Sequence, residues 1–384
     1  MGVYGFPVGV PRTGHELVTC HYPLRVDTYL GCFHNCEYCY ARASLTSRSL
    51  WRTDNVRVAD MRRIRRIFES YLDGVGGGVV GRAIRRRVPA RLGAWTDCFQ
   101  PVERGRRATL ELIRFLNSID YPYLIVTKSG LVCESPYLDE IRGDLAYVQV
   151  TVTTLDEGLA GRLEPRAPPP WERLRALETL NDCGIYAAGR VSPIIPNVTD
   201  QNCFHIIDRL VEVGVPHIVF EFFRGDEQII RRVEGATGRR IPGLYRRGYH
   251  YRVRWELKGS FYERVAERLK GEKTLFTSCS DGDWVPFQYH STLDCCGADG
   301  IKRVVPDTRF NLGNERVASA VYRELVRRGT VGVEDLEPYF SLSEKVFLRF
   351  WRRGLFEYFV PNCRYDKETN TYTMEGGGEG AVRK

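Results

Sequence analysis

The stretch Leu24-Arg-Val-Asp-Thr-Tyr-Leu30-Gly-Cys32-Phe-His-Asn-Cys36-Glu-Tyr-Cys39-Tyr40 joins a short apolar run to three closely spaced cysteines. Leu24–Leu30 reads as a strand, so the loop that leaves it carries the thiols. At this spacing three thiolates can each bind one iron of a [4Fe–4S] cube. The usual four-cysteine cluster closes every iron, whereas three cysteines leave one open. An open iron can chelate the amino and carboxylate groups of S-adenosylmethionine, and an electron passed to the sulfonium releases a 5′-deoxyadenosyl radical. Structural zinc is the plainer use of such a motif. It needs a fourth ligand; only His34 is near, and it lies too tightly between the cysteines for the usual zinc patterns.

Outward from this loop, apolar runs alternate with amphipathic stretches. Strands are expected at Leu24–Leu30, Ala90–Trp95, Tyr123–Thr127, Tyr147–Thr153, Tyr186–Ser192 and His217–Phe222, and helices at Asp60–Leu72, Arg106–Ser118, Trp171–Asp182 and Asn202–Val213. Such alternation predicts an α/β chain of parallel βα units, an open sheet or a partial barrel. The Gly- and Arg-rich Asp73–Arg87 reads as a surface loop, and Glu164–Pro170 as a stiff loop that no helix crosses. Residues 224–312 show little periodicity.

The chain has 384 residues, enough for a barrel of 200–250 residues plus an appendage. Its 43% hydrophobic content excludes disorder, and no apolar run approaches the length needed to span a bilayer. The first twenty residues lack a basic stretch followed by a long apolar one, so a cytoplasmic location is expected. Twelve clustered cysteines in such a chain point to metal binding rather than disulfides. The net charge of +8 comes from 48 arginines and eight lysines against 48 acidic residues. Arginine suits phosphate and carboxylate partners, although a GC-rich genome produces the same bias.

Near the C-terminus, Glu315–Arg328, Glu334–Phe340 and Leu342–Arg353 read as helices, the last opened by a Ser341/Glu344 capping box. Extended pieces Phe356–Val360 and Arg364–Met374 follow. Three helices and a hairpin form a winged-helix pattern. Lys345, Arg349, Arg352 and Arg353 share one side of the third helix, a face suited to a DNA groove or simply to water. The organisation expected is an N-terminal extension (1–21), a barrel (22–223), a covering segment (224–312), a winged-helix-like domain (313–375) and a tail (376–384).

The ordered set of motifs resembles the radical SAM superfamily, in its photolyase-like branch related to spore photoproduct lyase. The residues that carry the resemblance are Tyr29-Leu-Gly-Cys32, Cys36-Glu-Tyr-Cys39-Tyr-Ala-Arg42, Gly93-Ala-Trp-Thr96-Asp97-Cys98-Phe-Gln100-Pro101-Val-Glu103, Val126-Thr-Lys128-Ser129, Thr151-Val-Thr153-Thr154-Leu-Asp156, Glu164-Pro165-Arg166-Ala-Pro168 and Arg190-Val-Ser-Pro193-Ile-Ile-Pro196. They span about residues 22–200. The resemblance implies a partial (β/α)6 barrel with the cluster on Cys32, Cys36 and Cys39 at the C-terminal strand ends. It implies further that Tyr38, Thr96, Asp97, Glu103 and Lys128 face S-adenosylmethionine, Lys128 approaching its carboxylate, and that Thr151 or Thr153, which share one side of their strand, supplies a hydroxyl. Arg190 would hold a carboxylate or phosphate, or else form an ion pair with Glu164.

Cys98 lies near the position from which the lyase quenches its product radical with a thiol, though here it follows the Thr-Asp pair rather than preceding it. It is a candidate hydrogen donor, with Tyr40 as a candidate redox neighbour, or else a buried inert cysteine. Cys279, Cys295 and Cys296 form a second group, able to hold another iron–sulfur cluster or metal if Cys363 or His290 completes it, or simply to pack. The resulting expectation is a radical SAM enzyme that needs an electron donor such as flavodoxin or ferredoxin and acts as a lyase, repair or modification enzyme on a nucleobase or nucleic acid. Radical modification of tRNA or a peptide, and a non-catalytic iron–sulfur or zinc winged-helix regulator, are the rivals.

Overall fold

Seven short apolar runs pair into a parallel sheet in the order in which the chain makes them: β1 (Arg25–Val26), β2 (Ala90–Leu92), β3 (Tyr123–Thr127), β4 (Ala146–Thr151), β5 (Ala187–Ile194), β6 (His217–Phe222) and β7 (Leu275–Ser278). Val8–Gly9 adds an antiparallel edge beside β1. The computed structural model describes residues 8–9, 22, 24–42, 51, 53–247, 250–279, 296, 328–332, 363–366, 368–369 and 371–374. A strand order that never reverses, with crossovers of one hand, carries its helices on one face of the sheet. All six residues of β4 are buried, as a parallel sheet covered on both faces requires.

Between the strands run α1 (Met61–Leu72), α2 (Gly78–Arg85), α3 (Ala108–Ser118), α4 (Glu157–Leu163), α5 (Pro170–Asp182), α6 (Cys203–Glu212), α7 (Glu227–Thr237) and α8 (Trp255–Arg268). Asp60, Asp156 and Asp226 cap α1, α4 and α7, each carboxylate accepting from the backbone three residues on. Pro170 opens α5, where its missing N–H costs nothing.

Two readings need correction. The Gly-rich stretch after α1 is not all loop, because Ala83 and Ile84 are fully buried and α2 packs on α1. Burial there outweighs the poor helix propensity of glycine. Residues 224–247 and 250–279 are also more regular than the pattern of 224–312 suggested. Phe261 of α8 packs edge-on against Phe220 and Phe222 of β6, ring centroids 5.4 and 5.3 Å away. β7 then extends the sheet to a seventh parallel strand beside β6. Its four residues are too few to show a period.

The chain divides into two compact units. The first takes Met1–Gly9, Leu24–Cys279 and Val285–Val304; the second takes Val10–Pro23, Ser280–Trp284 and Val305–Lys384. In the second, Thr330–Gly332, Thr371–Met374 and Cys363–Asp366 form a three-stranded antiparallel sheet in that order. The hairpin therefore turns inside the single extended piece expected at Arg364–Met374, and Thr330–Gly332 supplies a strand that was not expected. The three expected helices of this region lie outside the described residues, but for Arg328.

Gly93 follows β2 with φ +80°, and a Cβ there would come within 2.1 Å of the Val126 carbonyl oxygen. Gly105 has open space around it. Gly93→Ala should therefore lower the Tm by several degrees, a cost of about 3 kcal/mol or more, while Gly105→Ala leaves it within a degree or two. Thermal melts of both variants check this.

Candidate functional site

The cysteine loop leaves Tyr29–Leu30, a two-residue strand paired with Arg57–Val58, through Gly31, whose φ of +97° turns the chain sharply. Both of its halves are tied down. Phe33 N–H donates to Gln100 Oε1 (2.8 Å), and Gln100 Nε2 donates to the carbonyls of Gly31 (3.2 Å) and Asp97 (3.0 Å). In the second half, Glu37 N–H donates to the Leu163 carbonyl (2.8 Å) and the Tyr38 hydroxyl to Glu164. Arg232 of α7 holds the Glu37 carboxylate (2.8 Å) and donates to the Cys36 carbonyl (3.1 Å).

Cys32 and Cys36 are buried, Cys39 is half-buried, and none is in a disulfide. Burial pushes the Cys32 thiol up to about 12, with Asp97 adding to it. Burial raises Cys36 and Cys39 too, while the Lys128 ammonium pulls both the other way. Lys128 extends beyond β3, its Nζ 5.7 Å from the centre of the Tyr38 ring, and makes no ion pair among the described residues. His34 is buried, with Nδ1 3.5 Å from Asp97 Oδ2 and Nε2 lacking a hydrogen-bond partner among the described residues.

No three His, Cys, Asp or Glu side chains among the described residues converge on one point, as a single tetrahedral ion would need. A cubane makes a different demand, since each thiolate takes its own iron. Three reduced thiols on one shielded loop, a cation beside them and an unpartnered buried nitrogen fit such a cluster with an anionic group alongside.

Asp97 is the hub of the neighbouring loop. Its Oδ1 accepts from Thr127 Oγ1 (2.7 Å) and Phe99 N–H (2.9 Å), and its Oδ2 from Lys128 N–H (2.7 Å). Thr96 donates its hydroxyl to the Tyr29 carbonyl (2.8 Å). Glu103 is fully buried and turned into the frame. It accepts from the Tyr29 hydroxyl, from the Thr109 and Leu110 amides at the start of α3 (3.0–3.1 Å), and from Tyr137 (3.0 Å). Cys98 has no exposed surface and lies beside Gly93; burial, Asp97 and Glu103 hold its thiol well above the usual range. The Tyr40 hydroxyl donates to the Ala94 carbonyl (2.5 Å), and Arg224 stacks over its ring at 4.8 Å.

Glu164 and Arg190 do not pair with each other. Glu164 pairs with Arg173 of α5 (2.6 Å, both side chains 1% exposed), and Arg190 of β5 with Glu221 of β6 (2.5 Å). Arg190 and Glu221 stand on adjacent strands, which brings their charges together. Thr153 lies past the end of β4, its hydroxyl 2.8 Å from both Glu164 Oε1 and the Ser192 carbonyl. The Thr151 carbonyl accepts from Arg173 (3.2 Å). Sequence reasoning passed over Arg173, Glu221, Gln149 and Arg232. Of these only Arg173 carried a local signal, three residues into a Pro-opened helix behind the Glu164-Pro165-Arg166 motif.

Of the second cysteine group, Cys279 sits past β7 and Cys296 is buried; Cys295 and His290 lie outside the described residues. The Arg190 guanidinium lies close enough to the Cys279 thiol to oppose the rise that burial causes, and it donates to Gln149 (2.9 Å), which donates to the Cys296 carbonyl (3.1 Å). Cys363 belongs to the other unit. Lys345, Arg349, Arg352 and Arg353 lie outside the described residues. No helix among the described residues is long and apolar enough to cross a membrane.

No family model matches the chain. Its fold is similar to that of spore photoproduct lyase bound to a dinucleoside spore photoproduct, with a TM-score of 0.53 and 17% identity over 70% of this chain and 81% of the lyase. A mutant of that lyase carrying both S-adenosylmethionine and the dinucleoside gives 0.51 and 17%, over 70% of this chain and 80% of the lyase. In sequence the chain is 28% identical over 152 residues to an uncharacterised protein of Acidianus two-tailed virus (35% of this chain, 50% of that one). It is 28% identical over 140 residues to a radical SAM Nalpha-GlyT isomerase of Pseudomonas phage M6 (34% and 27%). A Methanocaldococcus jannaschii protein, also uncharacterised, is 24% identical over 181 residues (46% and 61%). The chain thus spans between about a quarter and three fifths of the length of these curated relatives.

Burial alone would raise Glu164 and Glu221. The guanidinium of Arg173, helped by Lys128, instead brings Glu164 down to about 2, and Arg190 with Arg224 does the same for Glu221. A carboxyl whose folded value is depressed stabilises the fold fully above its ordinary 4.5 and loses that contribution as pH falls toward 2. The stability gap between wild type and Glu164→Gln should therefore be widest at neutral pH and narrow between pH 4.5 and 2. Urea unfolding at a series of pH values measures it, and a pH-independent gap would contradict the pairing.

Proposed function

We propose that this chain is a radical S-adenosylmethionine enzyme acting as a lyase, repair or modification enzyme on a nucleobase or nucleic acid. The observation that carries the reading is the shielded loop of three reduced thiols beside Lys128, on a fold shared with spore photoproduct lyase. Cys32, Cys36 and Cys39 would hold the cluster. When bound, a [4Fe–4S] centre with one open iron supplies the electron that splits S-adenosylmethionine and yields the 5′-deoxyadenosyl radical. A ferredoxin- or flavodoxin-like donor would deliver that electron.

In this reading the Lys128 ammonium, which makes no ion pair among the described residues, receives the carboxylate of S-adenosylmethionine. Tyr38 lies against Lys128 and shapes that pocket. Thr151, whose hydroxyl has no hydrogen-bond partner among the described residues, is the better of the two threonines to reach the cofactor. Asp97, Thr96 and Glu103 act through the framework, holding the loops that bear these groups. Cys98 is the hydrogen donor, since burial keeps its thiol protonated and only a protonated thiol has a hydrogen atom to give. Arg190, neutralised by Glu221, meets the substrate with donors rather than net charge. Cys279 and Cys296, bridged by Arg190 and Gln149, belong to the same substrate-facing group; a second metal there would need Cys295 as well.

Each of Cys32→Ala, Cys36→Ala and Cys39→Ala should abolish the cluster's spectroscopic signal and 5′-deoxyadenosine formation in the anaerobic protein supplied with S-adenosylmethionine and dithionite. A triple variant that keeps four irons and normal turnover would overturn the assignment. Iron remaining in it would instead belong to the second cysteine group, a case that replacing Cys295 and Cys296 separates.

Action on nucleic acid draws on the C-terminal basic residues and on the three-stranded sheet, whose pairing suits the wing of a winged helix. Replacing Lys345, Arg349, Arg352 and Arg353 by Gln should weaken DNA binding regardless of sequence. It should also flatten its salt dependence by about 0.9 log unit of slope per lost phosphate contact. Unchanged affinity and slope would mean that this face meets only water or protein.

A further inference from the structure

Residues 163 and 164, at the end of α4, hold residues 37 and 38 of the cysteine loop at two successive points. The Leu163 carbonyl takes the Glu37 amide at 2.8 Å, and the Glu164 carboxylate takes the Tyr38 hydroxyl. Two contacts in register between segments 126 residues apart fix both the position and the direction of the turn between Cys36 and Cys39. Glu164 is enclosed in turn. Arg173 reaches it at 2.6 Å and is itself held by the Pro168 carbonyl (2.7 and 2.9 Å) and the Thr151 carbonyl (3.2 Å). The stiff Glu164–Pro170 loop thus carries Glu164 at one end and braces Arg173 of α5 through the Pro168 carbonyl.

A buried ion pair is a poor way to gain stability, because well-packed apolar residues of similar volume often do as well or better. What a charged pair adds is direction: a carboxylate pinned by a guanidinium offers its remaining lone pairs at a fixed place. Here that place is the hydroxyl of Tyr38, a residue that lies between Cys36 and Cys39 in the chain.

We propose that Glu164, paired with Arg173, is the positioning residue of the cysteine loop, and that its hold on Tyr38 sets the turn on which Cys36 and Cys39 present their thiols to the cluster. This rests on the cluster reading above. Glu164 touches neither substrate nor cofactor; it acts through Tyr38. The same arrangement explains why a Glu-Pro-Arg segment far from the cysteines accompanies them in one chain.

The test compares the full-length wild type with Tyr38→Phe, Glu164→Met and Glu164→Met/Arg173→Met, each reconstituted anaerobically with iron and sulfide. Four quantities are read: the Tm of the iron-free protein, iron bound per chain, the rate at which EDTA strips it, and the EPR spectrum after dithionite reduction. Tyr38→Phe should keep its Tm within a few degrees yet hold iron about 10–100-fold more weakly, the usual effect of removing a group that orients a metal ligand. Its EPR line shape should change as well.

Glu164→Met alone strands the Arg173 charge and should lower the Tm. The double variant removes both charges and should recover the Tm but not the iron retention. A double variant that fails to recover leaves the decision to Tyr38→Phe, which removes a single oxygen atom. Wild-type iron retention and spectra in Tyr38→Phe would overturn the proposal and leave the pair a purely structural feature. A wild type that takes up no iron would instead sink the cluster reading, and the positioning role with it.

Discussion

The carboxylate of Asp97 stands where three segments meet: the loop after β2, the end of β3 and the first half of the cysteine loop. One oxygen accepts from the Thr127 hydroxyl and the Phe99 amide; the other accepts from the Lys128 amide and faces His34 at 3.5 Å. Backbone amides that run past the end of a parallel strand have lost their ladder partners and must find acceptors elsewhere. A single buried carboxylate meets that need for two loops at once. In doing so it sets where Lys128 leaves the strand, and so where a cation stands beside the thiols. Spreading its charge over three donors is what makes its burial tolerable.

The same constraint governs the other buried acidic side chains. Glu103 lies next to a helix start, where unpaired amides and the positive end of the helix draw a carboxylate inward. Glu164 meets a guanidinium in a dry site. Glu221 meets another on the adjacent strand. Lys128 has no such partner among the described residues.

The excess of arginine acquires a partial explanation from the same pairs. Arg173, Arg190 and Arg232 act as internal struts, joining helices or strands to loops at the strand ends. The planar fork that suits arginine to phosphate suits it equally to two or three carbonyl and carboxylate oxygens within one protein. Arg173, nearly without exposure, binds two backbone carbonyls and a carboxylate together, which a lysine could not do with the same geometry.

What the sequence determined by itself is what depends on neighbours along the chain. Six of the seven parallel strands follow from their apolar runs, and α1, α3, α5 and α6 among the helices between them follow from periodicity. The three thiols share one loop because they lie within eight residues of one another, and no tertiary arrangement could separate them far. Tertiary structure alone decided β7 and α8, whose apolar residues acquire a face only against β6. It alone decided the partners of the buried charges, giving Glu164 to Arg173 rather than to Arg190, and Glu103 to the amides of a helix start. A charge leaving water must take the opposite charge or the free amide that packing brings nearest, and which one that is depends on contacts between residues tens of positions apart, where no spacing in the sequence records it.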